Sequence, residues 1–318
     1  MWISGLLLAI TLTAAGRWVA PGELRGGGAD PSTTGRFFVW GSAVWVSEGK
    51  GLREVARGAF GFDDGGCVFD ADGDGLSDLI LARRSGTGVL GELVFLRAPE
   101  FVAERIDTDV ELHDCRAATL FGRRGFLMIH RGAQVRFYWL DKGKWAVQEV
   151  YSIYTASRQA GLALADVDGD GRVDIFAGNY WVRSPEAFDL PWRIFAIHLH
   201  HEDETAASFV YGAWPDLLVG AQRERMGTPV RVFRPGADRK LEWAESAVGG
   251  AWLDRPTGAV VIGDLVVFGD GLGLMVVRPR IGSVERVRGR AGVGVWEAGG
   301  VVYSVSAREV RGWRLREN

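Results

Sequence analysis

A nine-residue acidic loop occurs twice in the chain. Residues 70–78 read Asp70-Ala71-Asp72-Gly73-Asp74-Gly75-Leu76-Ser77-Asp78, and residues 166–174 read Asp166-Val167-Asp168-Gly169-Asp170-Gly171-Arg172-Val173-Asp174. Both follow the pattern D-x-D-G-D-G-x-x-D, and both run into an apolar pair, Leu79-Ile80 or Ile175-Phe176. Their first aspartates lie 96 residues apart, two units of 48. Self-similarity at a period of about 20–50 residues is the mark of a repeat architecture, each unit being one supersecondary module. A middle unit falls at the halfway point. Residues 118–128 carry no acidic ligand, but Leu127-Met128 stands where Leu79-Ile80 does, and Cys115 follows Cys67 by 48 residues, each three residues before the aligned turn. Asp216-Leu217-Leu218-Val219-Gly220 and Gly263-Asp264-Leu265-Val266-Val267-Phe268 resemble the strand that follows an acidic loop.

Within a unit the strand signals come in fours. Residues 79–81, 92–96 and 102–106 follow the first loop, and 126–129, 135–140 and 145–150 recur one unit later. Turn residues such as Arg131-Gly132 and Asp141-Lys142-Gly143-Lys144 separate them. Alternation is clear in Val135-Arg136-Phe137-Tyr138-Trp139-Leu140 and no stretch sustains a helical period. Glycine supplies 45 of 318 residues, about twice the roughly 7% of an average protein, while 47% of the chain is apolar. Many short strands and many tight turns follow from that combination. The expected fold is all-β: a β-propeller of four-stranded antiparallel blades repeated around an axis. The period alone gives about six blades. The shorter degenerate units raise the expectation to seven, with six as the alternative, at limits near 30–62, 63–110, 111–157, 158–206, 207–248, 249–290 and 291–318. The first unit lacks a recognisable inner strand and the last an outer one. Closure by strands from both termini is therefore expected, because an open ring would leave unpaired edges.

The loops predict calcium. Alternating carboxylates on a glycine turn are hard oxygen ligands, and four of them within nine residues repel one another unless a cation sits between them. Two sites are expected, one through Asp70, Asp72, Asp74 and Asp78, the other through Asp166, Asp168, Asp170 and Asp174. Leu76 and Arg172 occupy the seventh position, where a backbone carbonyl suffices as ligand. The loops are not EF-hands, since position twelve is Leu81 or Ala177 rather than glutamate and a strand follows. Magnesium fits less well, because it takes fewer carboxylates and keeps more water. The plain alternative is a solvated aspartate turn without metal. The two loops, with Phe69 or Ala165 before them and Ile175-Phe176-Ala177-Gly178-Asn179 after the second, resemble the FG-GAP/VCBS type of propeller repeat. That resemblance implies that the loop joins the first two strands of a blade and holds calcium. It leaves function open: such repeats occur in integrin α heads, bacterial exported surface proteins and sugar lyases.

Residues 6–15 are apolar or hydroxylated ahead of the first side-chain charge, Arg17. This fits a signal peptide over 1–16, despite the missing basic residue at its start, and leaves one propeller domain over 17–318 in an exported protein. A buried N-terminal strand or an uncleaved anchor is the alternative. No later segment is long and apolar enough to span a membrane as a helix. The formal charge of −3 argues against a general nucleic-acid binder. Cys67 and Cys115 fall on inner strands of neighbouring blades, where they either form a disulfide or pack as free thiols.

Other candidates are weaker. His198 and His200 share one side of a strand and could bind a transition metal, or simply run into the acidic turn at 202–204. Asn179-Tyr180-Trp181, with Trp192 after the insertion at 183–191, either forms a stacking patch or fills space between blades. No G-x-S-x-G, phosphate loop or H-E-x-x-H is present. The expected function is a monomeric, exported, calcium-binding module for a protein or glycan ligand, with no catalytic residues assigned. The alternative is an extracellular polysaccharide lyase or hydrolase with its site on the propeller face.

Overall fold

The computed structural model describes residues 10–86, 90–131, 133–153, 160–197, 209–223, 225–236, 243–289, 292 and 294–317. Over these the chain forms 28 strands and no helix, arranged as seven four-stranded antiparallel sheets. Strand β1 (Ile10–Val19) comes first, and the blades then follow in chain order. Blade 1 is β2 (Leu24–Ala29), β3 (Phe37–Gly41), β4 (Ala43–Glu48) and β5 (Gly51–Arg57). Blade 2 is β6 (Phe62–Phe69), β7 (Asp78–Arg84), β8 (Gly91–Arg97) and β9 (Val102–Val110). Blade 3 is β10 (Leu112–Leu120), β11 (Arg123–His130), β12 (Ala133–Asp141) and β13 (Lys144–Ile153), and blade 4 is β14 (Leu162–Ala165), β15 (Asp174–Ala177), β16 (Tyr180–Arg183) and β17 (Arg193–Ala196). Blade 5 is β18 (Phe209–Trp214), β19 (Leu217–Gln222), β20 (Thr228–Pro235) and β21 (Trp243–Leu253), and blade 6 is β22 (Gly258–Ile262), β23 (Leu265–Asp270), β24 (Gly273–Arg278) and β25 (Ser283–Arg288).

Blade 7 closes the ring. Its first three strands are β26 (Gly294–Ala298), β27 (Val301–Ser306) and β28 (Glu309–Glu317), and its outermost strand is β1, in the order β1-β28-β27-β26. The register runs Val19↔Glu309, Arg17↔Arg311 and Leu12↔Leu315, with a bulge between Ala14 and Gly16. Residues 10–16, which the leader reading removes, are thus the first part of this strand.

Blade 1 differs from the sequence expectation. It begins at Leu24, not near residue 30, and it has its own inner strand. That strand reads LRGGGA, and its glycines hide the usual strand signature. They are needed because inner strands crowd together at the axis. A Cβ on Gly26 would sit 2.5 Å from both the Asp64 carbonyl and the Trp40 indole nitrogen, and one on Gly27 would sit 2.5 Å from the Trp296 ring.

The core lies between blades rather than inside them. Leu127, Ile129, Val135 and Phe137 of blade 3 pack with Ile175, Ala177 and Val182 of blade 4, and Leu79, Leu81 and Val94 of blade 2 pack with Phe38, Trp40 and Val44 of blade 1. Each sheet presents apolar side chains to both neighbours, so its second and third strands read as continuous apolar runs. The disulfide alternative is the one realised: Cys67 on β6 and Cys115 on β10 are bonded, with Cα atoms 5.3 Å apart, within the span such a bond requires. Among the described residues no helix is long and apolar enough to cross a membrane.

Candidate metal centre on the loop face

Every blade turns from its first to its second strand on the same face of the ring, here called the loop face. In blades 2 and 4 that turn is the acidic loop, between β6 and β7 and between β14 and β15. Two glycines in each loop take the left-handed backbone region, Gly73 and Gly75 at φ 86° and 88°, Gly169 and Gly171 at φ 72° and 82°. Residues with a Cβ adopt that region at a cost, so the pattern D-G-D-G is what folds the loop back on itself.

Once folded, the carboxylates cap the loop's own amides. Asp70 accepts from the Gly73 and Gly75 amides at 2.7 and 3.1 Å, and Asp166 accepts from Gly169 and Gly171 at 2.8 and 3.0 Å. The last aspartate of each motif begins the second strand and is fully buried. Asp78 accepts from Ala71 at 3.0 Å and from Ala98 at 2.8 Å, while Asp174 accepts from Val167 at 3.4 Å and from Ser184 at 2.9 Å. Burial pushes both carboxyls up, that of Asp174 to about 6, although the backbone amides pull the other way. Blade 1 braces the first loop from outside: the buried Ser77 hydroxyl accepts from the Ser32 amide at 3.2 Å.

The structure gathers three of the four expected aspartates in each loop. Asp70, Asp72 and Asp78 each place a carboxylate oxygen within 4.8 Å of the others, and Asp166, Asp168 and Asp174 do the same. Asp74 and Asp170 stand outside these groups, and each caps the amide two residues on, at Leu76 (2.8 Å) and Arg172 (2.9 Å). An all-oxygen trio of this size suits calcium, whose ligands at roughly 2.3–2.6 Å can lie up to about 5 Å apart across the ion.

Arginines surround both trios. Arg97 Nε lies 3.1 Å from Asp72 and Arg124 lies 3.5 Å from Asp70. In the second loop Arg183 Nε donates to Asp168, its NH2 group donates to Asp170 at 3.3 Å, and Arg172 also pairs with Asp170. Of these, Arg97, Arg124 and Arg183 were not singled out in the sequence, and Arg172 was named only for its backbone carbonyl. Arg97 and Arg183 close the third strands of their blades, 19 and 9 residues after the motif's last aspartate, so no fixed spacing marks them. Their shared signal is position in the sheet. Leu79↔Leu96 and Ile175↔Val182 set the registers, which places each arginine opposite the last aspartate.

The other sequence candidates resolve differently. Trp181 is fully buried, stacked on Phe195 at 4.9 Å and edge-on to Trp243 at 6.0 Å, so it fills the gap between blades 4 and 5. Trp192 is partly buried and packs edge-on against Phe121, and Tyr180 meets Tyr151 in the same manner. The proposed stacking patch therefore does not form. His198 and His200 lie outside the described residues. Along the axis a cavity of about 240 Å³ is lined by Asp114 and Arg116 of the inner strand β10 and by Arg223, which follows the second strand of blade 5. Its charges tie inner strands together: Asp114 accepts from the Gly161 and Leu162 amides at 3.0 Å each, Arg116 donates to the Leu162 carbonyl at 3.1 Å, and Arg223 donates to the His113 carbonyl at 3.4 Å.

Comparison with known proteins agrees with this geometry. Residues 122–177 match the FG-GAP-like repeat family, a span that runs through blade 3 and the second acidic loop. No curated protein matches the chain. Among solved structures, the WD40 β-propeller domain of Doa1 is similar at 8% identity and a TM-score of 0.57, over 95% of this chain and 96% of that one. Sqt1 of Saccharomyces cerevisiae is similar at 10% identity and a TM-score of 0.58, over 96% of this chain and 99% of that one. At such identities the likeness is one of fold. With its seven blades, its shared loop face and this repeat match, the chain is a seven-bladed β-propeller carrying an FG-GAP-like repeat.

Proposed function

We propose that the protein is an exported interaction module whose propeller is braced by two calcium ions, without catalysis of its own. The observation that carries the calcium reading is the recurrence of one aspartate trio at the same place in blades 2 and 4. The first ion is held by Asp70, Asp72 and Asp78, the second by Asp166, Asp168 and Asp174, with Asp74, Asp170 and the Leu76 and Arg172 carbonyls completing the shells. The ion's chemistry is structural: it offsets the mutual repulsion of carboxylates brought together by the turn. The bound partner is a protein or a glycan.

Export rests on the leader-like run at 6–15 and on the disulfide, since such bonds persist in oxidising compartments. Residues 10–16 are claimed both by the leader and by strand β1, and the mature chain keeps only one of these roles. N-terminal sequencing of the secreted chain separates the roles: a start at Arg17 leaves only residues 17–19 of β1 on the edge of blade 7.

Calorimetry on chelator-treated protein tests the metal. Two calcium sites and a raised melting temperature are expected, and Asp168→Ala should abolish one site and leave the other. No heat and no stabilisation would overturn the reading. A glycan array with the purified, calcium-loaded protein tests the partner class, a binding signal supporting a glycan and none supporting a protein.

A further inference from the structure

We propose that Arg97 and Arg183 are built-in counter-cations that compete with the divalent ion for the second aspartate of each acidic loop, and so set how tightly each loop holds its ion. The inference rests on the calcium reading above.

Three observations carry it. The first is equivalence. Each arginine ends the third strand of its blade, and the amide of the very next residue caps the motif's last aspartate, Ala98 to Asp78 and Ser184 to Asp174. One backbone arrangement therefore fixes where both guanidinium groups start. The second is the target. In each blade the arginine Nε meets Oδ2 of the motif's second aspartate, Asp72 or Asp168, and that aspartate belongs to the trio. A dication bound by the trio brings like charge against the guanidinium, so binding must displace the arginine or draw the carboxylate from it. The third is inequality. Arg97 has a side chain 52% exposed and this single aspartate contact, whereas Arg183 is 25% exposed and contacts both Asp168 and Asp170. Arg172 adds a second guanidinium on Asp170. Ion pairs strengthen as water is excluded, so Arg183 is the stronger competitor. The loop at 70–78 should therefore fill at lower calcium than the loop at 166–174.

This makes the two loops unequal sensors built from one motif. The pattern D-x-D-G-D-G-x-x-D is the same in both, and the difference comes mainly from the burial and reach of an arginine outside it, with Arg172 at a variable position inside it adding to the second loop.

The test uses the full-length chain, stripped with chelator and titrated with calcium by calorimetry. Site assignment comes from Asp70→Ala and Asp166→Ala backgrounds, each of which silences one loop. In the Asp70→Ala background, Arg183→Gln should tighten the remaining site by about three- to tenfold, the scale of one partly buried ion pair. In the Asp166→Ala background, Arg97→Gln should tighten its site by less. In chelator both glutamine variants should melt below their parents, because the aspartates have lost a counter-charge, and saturating calcium should close that gap. Calcium binding by Arg183→Gln where the parent shows none would also support the proposal. Unchanged or weaker affinity in Arg183→Gln would overturn it and leave the calcium reading standing. No calcium binding in the parents or in either arginine variant would overturn both, and melting in chelator would then report Arg183 as an ordinary structural ion pair.

Discussion

Blades 2 and 4 and blades 3, 5 and 6 close the same turn in two ways. In blades 2 and 4 the connection from first to second strand runs for eight residues, 70–77 and 166–173, and ends on a buried aspartate. In blades 3, 5 and 6 it shrinks to two residues, 121–122, 215–216 and 263–264. A two-residue hairpin satisfies its amides through the ladder itself and asks only for a turn conformation, which Gly263 supplies at φ 58°. An eight-residue loop leaves amides without ladder partners, and the aspartates take them up. The acidic residues are thus first the loop's backbone partners and only then a charge problem that a cation or an arginine must solve. In the short turns of blades 5 and 6 one acid remains, exposed and paired with one arginine: Asp216 with Arg280, Asp264 with Arg278. Blade 2 is further bound to blade 3 at the axis by Cys67–Cys115. Blades 2 and 3 are therefore joined covalently at the axis although they turn differently on the loop face.

The largest expected effect comes from the axis. The disulfide closes a separation of 48 residues, for which the chain-entropy estimate gives about 4 kcal/mol. Cys67→Ser/Cys115→Ser, compared with the oxidised parent by urea denaturation, should lose stability on that scale. A loss well under about 1 kcal/mol would mean that blades 2 and 3 are held at the axis by packing, as blades 5 and 6 are.

The next effect separates the turns directly. Asp174→Ala leaves the Val167 and Ser184 amides of a buried site without their acceptor and should cost about 2–4 kcal/mol. Asp264→Ala removes an acid 59% exposed and 3.5 Å from Arg278 and should cost under about 1 kcal/mol. Urea midpoints of the two variants check the ordering. Equal losses would show that the long loop and the short turn depend on their acids alike.

Blades 2 to 4 were the most legible in the sequence. The 48-residue spacing located them, because the apolar second strands repeat in register in all three and the acidic loops mark blades 2 and 4. The motif named all four aspartates of each loop, of which three gather, while Asp74 and Asp170 cap amides instead. What the sequence hid has identifiable causes. Strand β2 reads LRGGGA, because convergence at the axis removes the side chains by which a strand is recognised. Trp181 looks like a ligand platform because aromatic residues serve interior and surface alike, and only the packing of Trp243 and Phe195 around it decides. Arg97 and Arg183 escape detection because the intervening hairpins differ in length, so their equivalence exists in the sheet register and not along the chain.

The smallest effect tests the weakest joint. Arg280 grips Asp216 through two contacts of 2.6 Å, reaching from the turn after β24 in blade 6 to the first turn of blade 5, and its guanidinium also lies 5.9 Å from the Trp214 ring. The geometry is that of a paired fork, which favours strength. Exposure opposes it: the side chains are 47% and 62% accessible, so water and salt screen the pair. Exposure wins, and a double-mutant cycle of Asp216→Ala and Arg280→Ala should give a coupling of about 0.5–1 kcal/mol at low salt. High salt should reduce it towards zero. The Arg280 hydrogen bonds hold the Asp216 carboxyl below the usual carboxylate range. A depressed carboxyl favours the folded state above its unfolded pKa and loses that contribution as pH falls through its folded value, so the coupling should persist at neutral pH and vanish in strong acid. A coupling above about 2 kcal/mol that resists salt would place this pair on a par with the buried aspartates of blades 2 and 4. The short turns would then be braced by an exposed arginine as firmly as the long ones are by their buried aspartates.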